Sequence, residues 1–192
     1  STKCIGLPSV VFVGKRLAGY GDVIRKETAT LIDQFPGGPV QLVNAFTHRM
    51  PVNVIVAMLG MPGGDQDRFY DWYSTMMASL VFGKPERRAA GIAAREALSA
   101  HVEPAMTERG ECPRGDLISK VMHGEADGRR LTDEEIHAFI ALMFVAGGET
   151  TDKAITNVWA NLLRSEDQLA LVKEDPSRLD AAFSEMMRHS PP

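Results

Sequence analysis

Glu149 and Thr150 have the clearest capacity for chemistry in this sequence. They belong to Ala146-Gly147-Gly148-Glu149-Thr150-Thr151, where an acid and two hydroxyls follow a pair of glycines. A carboxylate beside a hydroxyl can pass protons into a closed pocket. Small residues at 146–148 let something flat or bulky approach the backbone, and a loosened helix can free a carbonyl to bind water. Two glycines inside a helix cost about 2 kcal/mol relative to alanine. A sequence shaped by stability alone would avoid that, and such local conflicts often mark function. The hexapeptide also fits a plainer arrangement: a glycine kink where another helix crosses closely, with Glu149 and Thr150 reaching solvent.

Other reactive residues offer less. Glu185 and Arg188 have the i, i+3 spacing of a surface pair. His48, His101, His123, His137 and His189 show no metal-binding spacing, and no metal site is expected. Cys4 and Cys112 are far apart and unpaired in pattern, which argues against a disulfide framework or a zinc site and for a reducing cytoplasm. Cys112 reads as a structural or incidental thiol. No glycine-rich phosphate loop follows a strand.

The elements that must position these residues are helices joined by short loops, with no convincing strand alternation. Leu17, Tyr20, Val23, Ile24, Leu31 and Ile32 predict a helix over 16–34, ended by Pro36-Gly37-Gly38-Pro39. A second runs from about 44 to 59 and is kinked or split by Pro51. Asp65 caps a third through Phe69, Trp72, Tyr73, Met76, Met77 and Leu80. A fourth covers 86–109, with Pro104 as a disturbance. A loop over 110–115 precedes a short helix opened by Asp116. Thr132-Asp133-Glu134-Glu135 is a capping box, and from it one long central helix runs over about 133–164, roughly 50 Å at 1.5 Å per residue. Ile136 to Val145 is apolar on nearly every side, which predicts burial on every side. Asp175-Pro176 breaks a following short helix, and Ser177 is placed to cap the last one. The whole of 1–192 reads as a single all-α helical region without a second domain.

Composition excludes several classes. The chain has 192 residues and a formal net charge of −4, so it has no basic field for nucleic acid; Arg129-Arg130 beside Asp127-Gly128 reads as a solvated turn. The longest apolar run, within 138–146, is about half of the ~20 residues a membrane span requires. No signal pattern opens the sequence.

Taken together, the landmarks resemble the cytochrome P-450 family of bacterial haem-thiolate monooxygenases. Val145-Ala146-Gly147-Gly148-Glu149-Thr150-Thr151 is similar to the oxygen-activation motif of that family's central helix. Gln168-Leu169, Asp175-Pro176, Glu185 with Arg188, and Pro191-Pro192 follow in the family's order. Asp116-Leu117-Ile118-Ser119, Asp127-Gly128 and Leu131-Thr132 resemble the lead-in. Pro51, Val54-Ile55, Met58-Leu59-Gly60-Met61-Pro62, Phe69 and Trp72 resemble earlier helices, and Phe12 to Phe35 the helix before those. The resemblance covers nearly the whole chain and implies the helical middle part of that fold.

It further implies that Thr150 hydrogen-bonds bound dioxygen, that Glu149 delivers protons, and that Ala146, Gly147 and Thr150 form the haem face. Glu185 and Arg188 become a structural ion pair behind the haem. The helices near 65–82 and 86–109 become part of a lid over a small organic substrate. Gly148 stands where this group often has histidine, with little effect expected. Haem and a ferredoxin-type redox partner belong to the intact family. The sequence departs from it in having no glycine-flanked cysteine loop after Arg188, and in placing Ser1 and Ile5 where a histidine and an arginine hold a haem propionate. The expectation is therefore a catalytically incomplete chain without thiolate-bound haem, or alternatively a non-catalytic helper of another enzyme. A homo-oligomer or other partner is expected to cover its exposed apolar surface.

Overall fold

The computed structural model describes residues 19–80, 84–126 and 128–192. The expectations for Cys4, Ser1, Ile5, Phe12 and Leu17 lie outside these. In chain order the elements are α1 (Gly21–Asp33), a π-helical turn (Val43–Thr47), α2 (Arg49–Met58), α3 (Gln66–Leu80), α4 (Pro85–Glu111), α5 (Leu117–His123), β1 (Glu125–Ala126), β2 (Arg129–Arg130), α6 (Asp133–Arg164), α7 (Glu166–Glu174), a 3-10 turn (Pro176–Arg178) and α8 (Leu179–His189). The fold is all-α, as the helical periodicity of the sequence predicts. Among the described residues no helix is long and apolar enough to cross a membrane.

The spine is α6. Thr132 accepts from the Glu135 amide at 3.3 Å, and the Glu135 carboxylate accepts from the Thr132 amide at 3.0 Å, closing the expected box. Arg129 adds a bidentate pair to the same carboxylate at 2.7 and 2.5 Å. These contacts, Arg129 first, lower the Glu135 pKa to about 2. Arg129 therefore secures the start of α6 rather than serving only as a solvated turn residue. Arg129 lies in a short antiparallel hairpin that the sequence reading did not anticipate, with Glu125 opposite Arg130 and Ala126 opposite Arg129.

The N-terminal half of α6 buries Ile136, Phe139, Ile140 and Phe144 against α2, α3, α4 and α5. Phe69 stacks on Phe144 at 5.5 Å with 15° between the rings. Each such side chain contributes about 1.5–3 kcal/mol on burial. The C-terminal half enters a smaller cluster of Ala154, Val158, Leu162 and Met186. Burial on every side does not occur: Leu142 is 52% exposed, and Ala138, Ala146 and Thr150 are exposed as well. Apolar content says what a helix can bury, not which neighbours are present to cover it.

Of three smaller expectations, one holds and two change. Pro51 does split the second helical segment, separating the π-helical turn from α2. Pro104 does not interrupt α4, which continues to Glu111; the carbonyl of Ala100, which loses its amide partner there, belongs to an exposed residue. Ser177 does not cap α8, which starts without a side-chain cap; Asp175 instead caps the 3-10 turn before it, accepting from the Ser177 amide at 3.1 Å.

A buried guanidinium ties the ends of α2, α4 and α5 together. The Arg109 side chain is 4% exposed. It donates to Asp116 at 2.9 Å, to Glu108 at 2.7 Å and to the Gly60 carbonyl at 2.9 Å. Gly60 has φ +69°, and a Cβ there would stand 2.5 Å from Asp116 Oδ2, so position 60 needs glycine on both counts. Burial pushes Asp116 upward, but the Ser119 amide, Arg109 and the Ser119 hydroxyl together hold it below its usual value. A depressed carboxylate contributes stability that is present above the unfolded-state pKa and lost as pH falls through the folded one. Arg109→Ala strands Asp116 and is expected to lower the unfolding free energy by about 3–5 kcal/mol in urea titrations at neutral pH. The deficit should shrink as the pH falls through the Asp116 titration. A constant deficit down to acid pH would contradict this account.

Candidate functional site

The hexapeptide lies at mid-α6, and its side chains part onto opposite faces. Residues two apart on a helix point about 200° from each other. Ala146 and Thr150 therefore share one face and Gly148 and Asp152 the other. The first pair is exposed and the second buried.

On the open face, Thr150 Oγ1 donates to the Ala146 carbonyl at 2.7 Å. Its oxygen keeps lone pairs for a donor approaching from outside. Glu149 is 39% exposed and accepts from Lys153 Nζ at 2.5 Å. Two hollows flank Leu142 on this side. One, of about 500 Å³, runs between α2 and α6, lined by Pro51, Val54, Ile55, Leu142, Met143, Ala146, Gly147 and Thr151 among others. The other, of about 590 Å³, lies among α3, α4 and α6 and includes Met76, Leu80, Leu142 and Val145.

The closed face explains the two glycines separately. A Cβ on Gly148 would stand 2.5 Å from Tyr73 Cε2 and 2.8 Å from Cζ, while one on Gly147 meets only Ile55 Cδ1, at 3.4 Å. Gly148 thus makes room for the α3 ring, the close helix crossing of the plainer arrangement, and Gly147 borders the α2 hollow. Tyr73 is buried, and burial, followed by the negative charges of Asp152 and Glu149 and by Tyr70, pushes its phenol up to about 12.

Sequence reasoning missed the polar cluster one turn further along. Buried Asp152 accepts from Thr47 Oγ1 at 2.7 Å and Thr156 Oγ1 at 3.3 Å, and its Oδ2 lies 2.5 Å from His48 Nδ1. The Thr47 and Thr156 hydroxyls are 2.7 Å apart. The π-helical turn, whose last residue is Thr47, lets two consecutive side chains reach one carboxylate; such turns recur at functional sites. The available signal was a second carboxylate on the Gly148 face of an apolar helix.

Glu185 and Arg188 pair with each other at 2.9 and 2.5 Å. Arg188 holds the Glu185 carboxyl below its ordinary value. The pair is on α8, beside the second cluster, and is not brought to the Glu149–Thr150 face. Cys112 is exposed just beyond α4. Among the described residues no three His, Cys, Asp or Glu side chains are placed to hold a metal ion.

No family model matches the chain. Individual relatives do. Cytochrome P450 107B1 of Saccharopolyspora erythraea is 32% identical over 183 residues, covering 94% of this chain and 44% of that protein. Vitamin D(3) 25-hydroxylase of Pseudonocardia autotrophica is 36% identical over 158 residues, 81% of this chain and 37% of the relative. Among solved structures, ligand-free cytochrome P450 TbtJ1 superposes with a TM-score of 0.88 at 30% identity, over 95% of this chain and 48% of the other. The chain spans about half the length of the relatives it matches.

Gly148→Ala gains about 1 kcal/mol in helix propensity but overpacks the Tyr73 ring, at a cost of about 1–3 kcal/mol. It is expected to destabilise by up to about 2 kcal/mol in wild type and to stabilise in a Tyr73→Ala background. Thermal unfolding of the four proteins of this cycle reads the sign reversal. A Gly148→Ala effect that ignores residue 73 would remove the contact from the explanation.

Proposed function

The chain belongs to the cytochrome P450 family, and on that premise we propose that α6 provides the oxygen-handling face of a haem-dependent monooxygenase. Its substrate is a small organic molecule and its electrons come from a ferredoxin-type partner. The observation that carries this reading is the open line Leu142, Ala146, Thr150: apolar, then small, then hydroxylic, along one face of a helix whose other side is packed.

The residues present fit the flat face of a haem. Ala146 and Gly147 are the least bulky side chains bordering the open face, and Thr150 is the hydroxyl beside them. A bound haem would supply the redox chemistry of dioxygen activation. The chain's own part is proton handling and exclusion of water. Glu149, partly exposed, exchanges protons with solvent while Lys153 orients its carboxylate. Thr150, with its proton on the Ala146 carbonyl, presents Oγ1 as an acceptor toward the open face. Neighbouring helix side chains diverge by about 100°, so a water carries the proton between Glu149 and Thr150. Leu142 and Val145 keep the approach apolar.

Neither Cys4 nor Cys112 stands in a glycine-flanked loop beyond Arg188, and thiolate ligation is what drives oxygen–oxygen cleavage in this chemistry. The 192 residues taken alone are accordingly read as catalytically incomplete, with Glu185 and Arg188 in a structural role.

Haem titrated into the chain is expected to quench tryptophan fluorescence, with the apparent affinity falling at least fivefold in Ala146→Phe. Glu149→Gln, which alters a proton-handling group off the haem face, should bind haem like wild type. Reduction under carbon monoxide should yield no red-shifted thiolate Soret band. Unchanged haem affinity in Ala146→Phe would sink the assigned face; a thiolate band would sink the assigned incompleteness.

A further inference from the structure

The hollow among α3, α4 and α6 has a feature the proton-handling face does not use. Its apolar wall is Met76, Leu80, Leu142 and Val145, and its rim carries two arginines, Arg88 and Arg95. They are seven residues apart on α4, two turns or about 10 Å along one helix face. Both are exposed. Neither takes part in an ion pair among the described residues, although acidic residues outnumber basic ones in this chain, 25 to 21. No carboxylate lines the hollow. The result is an apolar chamber of about 590 Å³ with two uncompensated guanidinium groups at its edge, within the volume range of small-molecule sites.

The geometry points to an amphiphilic carboxylate as the ligand class: an apolar body in the chamber and an anionic head on Arg88 and Arg95. Guanidinium is the side chain suited to carboxylate, since its planar fork accepts bidentate pairing. Arg88 also sits in the first turns of α4, whose N-terminal dipole favours negative charge. Leu142 belongs both to the chamber and to the exposed helix face that carries Ala146 and Thr150. A molecule held by its head at Arg88 and Arg95 therefore extends its apolar end toward that line. This inference rests on the proposed function for calling the ligand a substrate; the binding claim stands on the chamber alone.

The test uses the 192-residue chain without haem, so its outcome is independent of the haem titration. Decanoate and decanol are titrated separately, with Trp72 and Trp159 fluorescence or calorimetry as the readout. Wild type should bind decanoate at least fivefold more tightly than decanol. The double variant Arg88→Gln/Arg95→Gln should lose that preference while keeping its decanol affinity. Arg87→Gln, which removes the same charge from a residue outside the lining, should keep the preference. Leu142→Trp should weaken both ligands. Equal affinities for the two ligands in wild type, no binding of either, or a preference that survives in the double variant would each overturn the proposal. Success here together with a failed haem titration would leave a carboxylate-binding chamber and remove its description as a substrate site.

Discussion

The rotation of α6 about its own axis is set by contacts on one side, and that rotation decides what the opposite side can do. Gly148 admits the Tyr73 ring so closely that even a methyl group would collide with it. One turn later Asp152 is held by Thr47, His48 and Thr156. Turning the helix far enough to carry Asp152 away from these partners would leave a buried carboxylate without them, at a cost of several kcal/mol. Packing and polar contacts therefore act in the same sense, one excluding bulk and the other demanding partners. Because 148 and 152 lie about 200° from 146 and 150, this lock holds Ala146 and Thr150 outward.

How much of this was legible in the sequence depended on range. Local signals worked: the Thr132–Glu135 box places the start of α6, Asp116 caps α5, and Pro51 separates two helical segments. The ordered landmarks identified the family, and the placement of Ala146 and Thr150 on one face follows from helical spacing alone. Long-range partners were not legible. Thr47 meets Asp152 across 105 positions, and nothing near Gly148 announces that Tyr73 fills its missing side chain. The expectation of all-round burial failed for a related reason. Hydrophobic periodicity reports the preference of each residue, whereas exposure at Leu142 reflects which elements surround it.

The lock also separates two kinds of polar group. Asp152 is buried and held by three neighbouring side chains, Thr47, His48 and Thr156, which suits a fixed role. Glu149 is three residues earlier, partly exposed and paired with one exposed lysine, which suits exchange with solvent. Tyr73 lies between them electrically: its phenol is held protonated well into alkaline pH by burial and by both carboxylates. Two acids on one helix thus differ by environment rather than by type, and the difference follows from which face each one occupies.

The open line has its own order. From Leu142 to Thr150 the helix rises about 12 Å, and along that distance its outward side chains pass from large and apolar, through the methyl of Ala146, to a hydroxyl. A flat group set against the small centre would have an apolar neighbour at one end and a proton-handling neighbour at the other. The arginine-rimmed chamber opens at the apolar end, because Leu142 is part of its wall. An anion anchored on α4 would keep its charge away from the Glu149 carboxylate and send only hydrocarbon toward Ala146. The separation of head group from reaction face then follows from helix geometry, since residues four apart on α6 and seven apart on α4 repeat on fixed faces.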